Sequence, residues 1–217
     1  RRELDQDITA QALQMIVDDS DQDKRCTTVL YQADWHKGVV GIVASRVMET
    51  DYKPTIILTK SNGVITGSAR SVQGFNIHEA IEACSDLLEQ FGGHKYAAGL
   101  TLKEENIEKF VERFESAVKE RIDPTSLIEE LIIDVELSFD EVFKKEENRM
   151  KIPKLKRILQ QLEPHGPGNM KPVFMSQNLY ATDNRLLKEA HLKLSVVQPQ
   201  YDLTLPAIGF NMPDKLD

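Results

Sequence analysis

The chain has 217 residues, of which 41% are hydrophobic and 29% charged, and its formal net charge is −8. This is the composition of an ordinary soluble globular protein, long enough for one large domain or two modest ones. No apolar run could cross a bilayer and no signal-peptide pattern opens the chain, so we expect neither a membrane protein nor an exported precursor. The acidic balance weighs against indiscriminate polyanion binding, although it leaves room for a local basic groove.

The cysteines and histidines form no disulfide framework or zinc motif. Cys26 and Cys84 lie far apart without CxxC partners, so we expect reduced core residues and a cytoplasmic protein. The five histidines include no HExxH or other local zinc spacing. Because the sequence starts with Arg1 rather than methionine, we expect a fragment or a processed chain.

Apolar spacing and turn residues divide the first half into alternating helices and strands. Residues 5–19 predict a helix with acids at its start, and we expect residues 1–20 to connect from an earlier domain. Residues 21–123 then read as one α/β domain. Asn76 and Glu79 have capping-box spacing and are expected to begin a helix. The predicted elements are strands at 27–31, 55–59, 64–70 and 100–102 and helices at 39–50, 77–91 and 106–121.

The stretch Asp123-Pro124-Thr125-Ser126 ends that domain, and we expect a second, β-rich domain over residues 124–217. Short strands with turn signals favour a small β-barrel or curved sheet. A barrel would still need closing strands after Phe210, so we expect this domain to be incomplete. The predicted fold class is α/β (α+β), a mixed-sheet domain followed by a β-rich one. The predicted elements are a long strand at 131–137, helices at 138–142 and 152–162, a loop at 164–169, and strands at 173–182, 192–198 and 204–209.

The run GGHKYAAG at 92–99 follows the predicted helix at 77–91. Glycine pairs let backbone N–H groups converge on an anion, because no Cβ keeps the ligand at a distance. A histidine such as His94 can donate a hydrogen bond to a phosphate oxygen. The alternative is a left-handed helix stop followed by a tight turn, with an ordinary surface histidine.

A second polar cluster precedes and enters the predicted helix at 39–50. Trp35 and His36 lie just before it, and Arg46 lies on it. An aromatic ring beside basic groups can stack on a base while the cations hold a phosphate. The alternative is a capped strand end with a half-buried Trp35.

A third cluster lies where the predicted strand at 64–70 ends. The hydroxyls of Ser68 and Ser71 flank the guanidinium of Arg70, which can bind two phosphate oxygens at once. The alternative is a plain turn. A fourth cluster, the loop at 163–169 with the basic helix before it, has a solvated charged helix face as its alternative.

Common catalytic motifs are missing from the sequence. It contains no P-loop, no Asp and His cluster with metal-ligand spacing, no Gly-x-Ser-x-Gly elbow and no evident Cys–His pair. We therefore expect the binding half of a protein whose chemistry lies elsewhere.

Taken together and in order, these clusters resemble the RecJ family of single-stranded-DNA-specific exonucleases. The first three resemble the DHH-associated domain of that family, and the fourth resembles the start of its OB-fold domain. The resemblance covers nearly the whole chain. The motifs that carry it are WHKGVVGIVASR at 35–46, GSARS at 67–71, FGGH at 91–94, AAGLTL at 97–102, LEPHGPGN at 162–169 and PVF at 172–174.

The resemblance implies a hydrolase of DNA repair and recombination that digests single strands from the 5′ end and releases mononucleotides. It implies Mn²⁺ or Mg²⁺ held by Asp and His residues of an N-terminal DHH domain, with no metal ligand in this chain. The chain alone is therefore expected to be inactive, even with added manganese. The expected partners are single-stranded DNA and the upstream DHH domain of the same chain, in a monomer without a membrane partner. Residues 21–123 would be the DHH-associated domain and 124–217 an incomplete OB-like barrel.

The resemblance also implies roles for particular residues. Ser68 and Arg70 would hold the 5′-terminal phosphate, and His94 would have a supporting catalytic role at or next to the scissile phosphate. Two positions depart from the family pattern, His165 where an aromatic such as Phe is expected and Ala69 where glycine is frequent. The residues implied to bind phosphate or nucleic acid are Trp35, His36, Arg46, Ser68, Arg70, Ser71, Gly92, Gly93 and His94.

Two other functions stay open from the sequence. One is a DHH-type phosphodiesterase acting on short RNA or cyclic dinucleotides, a class that usually ends soon after the GGH module, whereas this chain continues for about ninety residues. The other is a non-catalytic RNA-binding module like the related domain of alanyl-tRNA synthetases. Comparing the binding of single-stranded DNA with that of tRNA would decide whether the chain is such an RNA-binding module.

Overall fold

The computed structural model of the chain forms two compact units, one up to Glu130 and one from Leu131 onward. Within the described part of the chain, no helix is both long and apolar enough to cross a membrane. The structure describes residues 2–143, 153–166, 168–201, 203–210 and 212.

The first unit contains five strands and four α-helices. Its elements are α1 (Arg2–Asp18), β1 (Thr28–Tyr31), α2 (Val40–Thr50), β2 (Thr55–Ser61), β3 (Val64–Arg70), α3 (Ile77–Glu82), β4 (Leu88–His94), β5 (Ala97–Leu102) and α4 (Ile107–Lys119).

These strands form one mixed sheet in the order β1-β2-β3-β5-β4. β1 and β2 are parallel, and the other neighbours are antiparallel. The apolar sides of α1 and α2 pack on one face of the sheet around Ile57, with Ala12 and Val43 fully buried. Those of α3 and α4 pack on the other face, where Phe110 and Phe114 fill the larger core. The layered α/β architecture confirms the predicted class of the first domain.

Local signals place several elements correctly. The predicted strands at 55–59 and 64–70 are β2 and β3, and the predicted helix at 39–50 is α2. Asn76 is confirmed as the N-cap of α3, because its side chain accepts a hydrogen bond from the backbone N–H of His78 at 3.2 Å. The Asn76 amide in turn donates to the Glu79 carboxylate at 2.7 Å.

The predicted helix at 77–91 is wrong in its second half. The α-helix ends at Glu82, a 3₁₀ turn follows, and the chain then enters β4. β4 pairs with β5 as a hairpin, and a register shift lies between Leu88 and Gln90. This irregularity lets Leu88 and Phe91 contact the same core although they are three residues apart, a helical spacing that a regular strand would place on opposite faces. The GGH run is therefore the end of an edge strand and not a helix stop.

The second unit contains a three-stranded antiparallel sheet and a separate two-stranded parallel pair. The elements are β6 (Val135–Glu136), α5 (Phe139–Phe143), α6 (Lys154–Gln161), β7 (Phe174–Met175), β8 (Tyr180–Leu187), β9 (His191–Gln198) and β10 (Leu203–Gly209). The sheet has the strand order β10-β9-β8, and β6 pairs with β7.

Two predicted strands of this unit are too long. The predicted strand at 131–137 contains only the two residues of β6, whose apolar neighbours Leu131 and Ile132 are exposed. The predicted strand at 173–182 is interrupted between β7 and β8, where Asn178 has a φ of 57° that regular strands do not adopt. The strands predicted at 192–198 and 204–209 are β9 and β10. Ile152, the start of the predicted helix at 152–162, lies outside the described residues.

Candidate nucleic-acid interface

The sheet face that carries α1 and α2 continues onto β3, β5 and β4, and we call this area the open face. Antiparallel pairing aligns its residues in three rows that cross the three strands. Neighbouring strands are about 4.8 Å apart, and successive rows on one face are roughly 7 Å apart. The arginine row is Arg70, Ala97 and His94, the glycine row is Ser68, Gly99 and Gly92, and the polar row is Thr66, Thr101 and Gln90.

The glycine row leaves the middle of the open face without side-chain bulk. A Cβ added to Gly92 would meet no heavy atom within 4 Å, and one added to Gly99 would meet only the carbonyl oxygen of Gly67, at 3.9 Å. Neither glycine has a positive φ, so the backbone does not require glycine at either position. A glycine in a strand costs about 0.5–1 kcal/mol relative to alanine. The fold therefore gives no reason for these two glycines, whereas a ligand backbone approaching the sheet would.

Arg70 ends β3 beside this row with its charge uncompensated. Its Nε donates to Ser45 Oγ at 3.0 Å, and its Nη1 donates to Ser68 Oγ at 3.1 Å and to the Ala69 carbonyl at 2.8 Å. All of these partners are neutral oxygens, and among the described residues Arg70 forms no ion pair. Partial burial lowers the pKa of the guanidinium from its ordinary value, yet arginine stays charged at neutral pH. This half-buried cation is suited to an anionic ligand.

α2 brings two further residues to Arg70. Ser45 accepts the Arg70 Nε–H and donates its own hydroxyl hydrogen to the Gly41 carbonyl at 3.2 Å. A Cβ on Gly41 would lie 3.1 Å from Arg70 Nη2 and 3.2 Å from Ser68 Oγ. The missing side chain thus lets Arg70 and Ser68 pack close to α2. The first turns of α2 therefore orient the Arg70–Ser68 pair.

The GGH run supplies the outer edge of the open face. Gly93 has a φ of +150°, and a Cβ there would overlap the Ala97 carbonyl oxygen, so this glycine is required by the hairpin itself. His94 is exposed, and its Nδ1 accepts the backbone N–H of Tyr96 at 3.4 Å. A neutral imidazole that accepts at Nδ1 carries its proton on Nε2. The Nε2–H of the exposed His94 ring is therefore a hydrogen-bond donor.

Arg46, the third predicted basic residue, is held by an acidic partner. Its Nη1 lies 2.6 Å from Oδ1 of Asp5 on α1, and the Asp5 side chain is only 10% exposed. This ion pair joins α1 to α2. Arg46 directly follows Ser45 on α2, but its charge is already balanced by Asp5, which distinguishes it from Arg70.

The structure removes the geometric basis for base stacking on Trp35. The indole is 4% exposed, belongs to the core between α1, α2 and the sheet, and donates from Nε1 to Gln11 Oε1 at 2.9 Å. The alternative, a capped strand end with a half-buried Trp35, is closer to the structure, although the indole is more deeply buried than expected. His36 is exposed, and its Nδ1 accepts the backbone N–H of Gly38 at 3.0 Å, which caps the turn before α2.

Ser71 also has a structural position. The residue is 7% exposed, and its hydroxyl donates to the Phe75 carbonyl at 3.0 Å. Its backbone N–H donates to the Tyr96 carbonyl at 3.1 Å, which fixes the tip of the β4–β5 hairpin. Ser68 is therefore the only one of the two predicted serines whose hydroxyl contacts Arg70.

Sequence reasoning assigned no role to Gly41, Ser45 or the polar row. Thr66, Ser68 and Arg70 alternate in sequence, and this period-two pattern could have placed Thr66 on the open face. Gly41 and Ser45 are four apart on the predicted helix at 39–50, so their common side was also readable. The partners on β5 and β4 required the strand order, which the sequence does not reveal.

No metal centre is built from the described residues, in which no three His, Cys, Asp or Glu side chains converge. These residues therefore do not fit a bound divalent ion. In the second unit, the predicted loop at 164–169 is closed by Asn169, whose amide donates to the carbonyls of Leu162 at 2.8 Å and Pro164 at 3.0 Å. The Asn169 side chain therefore stabilises the loop through these two hydrogen bonds.

Comparison with known protein families assigns both units. The family model of the DHHA1 domain matches residues 23–120, and that of the RecJ OB domain matches residues 133–217. The single-stranded-DNA-specific exonuclease RecJ of Salmonella typhimurium is 34% identical over 98% of this chain, and that of Bacillus subtilis is 30% identical over 97%. The aligned regions are 36% and 26% of these relatives, so the chain spans about a third of their length or less.

Solved structures show the same relationship. RecJ from Thermus thermophilus in complex with Mg²⁺ superposes with a TM-score of 0.71 at 26% identity, covering 97% of this chain and 30% of that one. Its complex with Mn²⁺ gives a TM-score of 0.69 at 28% identity, covering 95% and 31%. The predicted fold class, a mixed-sheet domain followed by an OB-like domain, is thereby confirmed. The two domain models in this order, the relatives and the shared fold show that the chain belongs to the RecJ exonuclease family.

Proposed function

We propose that this chain binds single-stranded DNA for a RecJ-type 5′→3′ exonuclease, and that it holds the terminal phosphate and adjoining backbone for a metal-bearing DHH domain outside this chain. The relatives are named single-stranded-DNA-specific exonucleases, and RecJ structures contain Mg²⁺ or Mn²⁺. Both facts support metal-dependent phosphodiester hydrolysis by the complete protein. The chain alone would not degrade DNA, because its described residues build no metal centre.

The observation that carries this proposal is the uncompensated charge of Arg70 beside the glycine row. A half-buried guanidinium bonded only to neutral oxygens gains from a charged partner. A terminal phosphate could accept from Arg70 Nη2, which bonds to no described residue, and from the neighbouring Ser68 hydroxyl. The terminal phosphate is the preferred ligand here because it carries more negative charge than an internal phosphodiester.

The arginine row sets the direction in which the DNA strand would cross the β-sheet. Arg70 and His94 are separated by two strand spacings, roughly 10 Å, with the small residue Ala97 between them. One nucleotide can bridge this interval, with its terminal phosphate at Arg70 and its 3′ phosphodiester near Gly92, Gly93 and the Nε2–H of His94. The glycine row then lies under the sugar. Such contacts hold a strand without reading its sequence, which suits a nonspecific nuclease.

Arg70→Ala tests the terminal-phosphate role. We expect the binding of 5′-phosphorylated single strands to weaken about 10- to 100-fold, since hydrogen bonds to charged groups are at stake. The binding of 5′-hydroxyl strands should change less than about threefold, and the salt dependence for the phosphorylated strand should fall by about one unit of slope. Fluorescence anisotropy over a salt series measures both. The matched control is Arg113→Ala, which removes a charge paired with Asp86 on the far side of the sheet.

Equal losses for phosphorylated and hydroxyl strands would show that Arg70 is a general backbone contact, and the terminal-phosphate role would be wrong. Equal losses for Arg70→Ala and Arg113→Ala would show that only net charge matters.

His94→Ala, made in the complete protein, tests the proposed position near the scissile phosphate. We expect kcat to fall about 100-fold, as for removal of a single donor to developing charge, while strand affinity changes less than about threefold. His94→Gln should recover part of the loss, because an amide N–H can replace Nε2–H. Single-turnover cleavage and binding without metal measure the two quantities. A matched loss of cleavage and affinity would reduce His94 to a simple contact.

A further inference from the structure

The polar row lies beside the glycine row on the open face. Pairing places Thr66 of β3, Thr101 of β5 and Gln90 of β4 in line across the open face. The glycine row separates them from the arginine row. Thr66 and Thr101 are half-buried and Gln90 is exposed, so all three can be reached from outside the sheet.

The side chains of this row make no hydrogen bond to any described residue. The contrast is Thr59, the β2 residue that continues the same row under the helices. Its hydroxyl donates to the carbonyl of Trp35 at 2.6 Å and is fully buried. Under the helices, the hydroxyl of Thr59 is hydrogen-bonded within the protein. On the open face, the hydroxyls of Thr66 and Thr101 are available to a ligand.

The row also forms one wall of a surface groove of about 320 Å³. Thr66, Thr101 and Gln90 line it together with Gly92 and Gly99 of the glycine row. This volume is at the lower end of the range for small-molecule sites, and it suits a group of about the size of a nucleoside. The backbone of Gly92 and Gly99 forms the floor of this groove, and the uncharged side chains of Thr66, Thr101 and Gln90 form its wall.

The charge pattern decides which part of a nucleotide fits the wall. Threonine hydroxyls and the glutamine amide can each donate and accept a hydrogen bond, whereas a phosphate is favoured by cations. Sugar oxygens and base edges offer mixtures of donors and acceptors that differ from base to base. Side chains that can act either as donor or as acceptor can therefore form hydrogen bonds with any of the four bases.

We infer that the polar row is a nucleoside-binding wall, in which Thr66, Thr101 and Gln90 contact the sugar and base edge of the nucleotide whose phosphate is at Arg70. This inference rests on the proposed function, because it takes its orientation from the phosphate at Arg70. It adds a second contact to the terminal nucleotide, one that does not depend on charge and tolerates any base.

The test combines the double variant Thr66→Val/Thr101→Val with two 5′-phosphorylated single strands. One strand has an ordinary terminal nucleotide, and the other has a phosphorylated propanediol unit in its place, without sugar or base. Valine keeps the branched shape that strands favour while removing the hydroxyl. We expect the double variant to bind the ordinary strand roughly tenfold more weakly, as two net hydrogen bonds are lost. Its affinity for the propanediol strand should change less than about twofold.

The salt dependence of binding should be unchanged in the double variant, because no cation is removed. Thr50→Val, an exposed hydroxyl near the end of α2, is the matched control and should leave both affinities unchanged. Thermal melting confirms that the variants are folded. Equal losses for both strands, or no loss for either, would overturn the nucleoside-binding wall.

Arg70→Ala separates this test from the test of the proposed function. If Arg70→Ala weakens both phosphorylated strands but the double variant distinguishes neither, the terminal phosphate site stands and the wall does not exist. If Arg70→Ala weakens neither strand, the proposed function fails and the wall fails with it.

Discussion

The two faces of β3, β5 and β4 use the same kinds of residue for opposite purposes. On the core face, a Cβ on Gly67 would overlap the Leu58 side chain, and one on Gly93 would overlap the Ala97 carbonyl. On the open face, Gly92 and Gly99 have free space above them. Glycine weakens a strand in either place, by about 0.5–1 kcal/mol. Packing against Leu58 explains Gly67 and the hairpin backbone explains Gly93, whereas the proposed approach of a DNA strand would explain the second pair.

The polar groups of the two faces differ in the same way. Glu115 of α4, on the core side, accepts from the Thr27 hydroxyl at 2.5 Å and from the Cys26 backbone N–H at 2.9 Å. On the open face, Thr66 and Thr101 have no such partners among the described residues. A buried polar group without a partner is costly, so the core face must satisfy its own. The open face can leave groups for a ligand.

The largest effect should come from Gly93→Ala. The substitution meets a φ of +150° and an overlap with the Ala97 carbonyl, so we expect a loss of about 2–4 kcal/mol in the free energy of unfolding. Urea denaturation followed by circular dichroism measures it. The matched control is Gly92→Ala in the same strand, which should not lower stability and should raise it by up to about 1 kcal/mol. Similar losses for both would erase the contrast between the two faces.

Gly99→Val should lower the affinity for DNA without lowering the stability of the fold. Valine favours strands and meets open space at this position, so stability should stay the same or rise by up to about 1 kcal/mol. Its side chain would fill the groove between the arginine and polar rows, and we expect the affinity for single-stranded DNA to fall at least about tenfold. Anisotropy titration and thermal melting on the same sample measure both. Unchanged affinity for single-stranded DNA would mean that the DNA does not cross the glycine row.

Glu115→Gln tests the core face with a smaller expected effect. Burial raises the pKa of Glu115, but hydrogen bonds from Thr27, Cys26 and Lys119 outweigh it, so the net pKa lies below the ordinary value. A carboxyl with a lowered folded-state pKa stabilises the fold above its unfolded pKa, and that contribution is lost as pH falls through the folded value. We expect the variant to lose about 1–2 kcal/mol at pH 7 and less at pH 3.

Urea denaturation of both proteins at the two pH values measures this difference, and DNA affinity at pH 7 should stay unchanged in the variant. A stability difference that does not shrink on acidification would show that the Glu115 charge does not matter.

Sequence reasoning succeeded where a signal was local. The alternation in β3 and the apolar spacing of α2 are properties of a few adjacent residues, and so is the N-cap signal at Asn76. It failed at residues 83–91, because the strand irregularity there keeps a helical spacing of apolar residues. It could not reveal the burial of Trp35, whose neighbours include Gln11 on α1, 24 residues away in the chain.

The sequence by itself determined the family, the order of its motifs and the chemistry of Arg70 and His94, since these depend on residue identity and short spacing. Only the tertiary structure decided that the two lie in one row across β5, because strand pairing joins segments that are distant in the chain. It also decided that Arg46 is paired with Asp5 while Arg70 is not. Whether a charge or hydroxyl is available to a ligand depends on what packs against it, and that is a property of the folded chain.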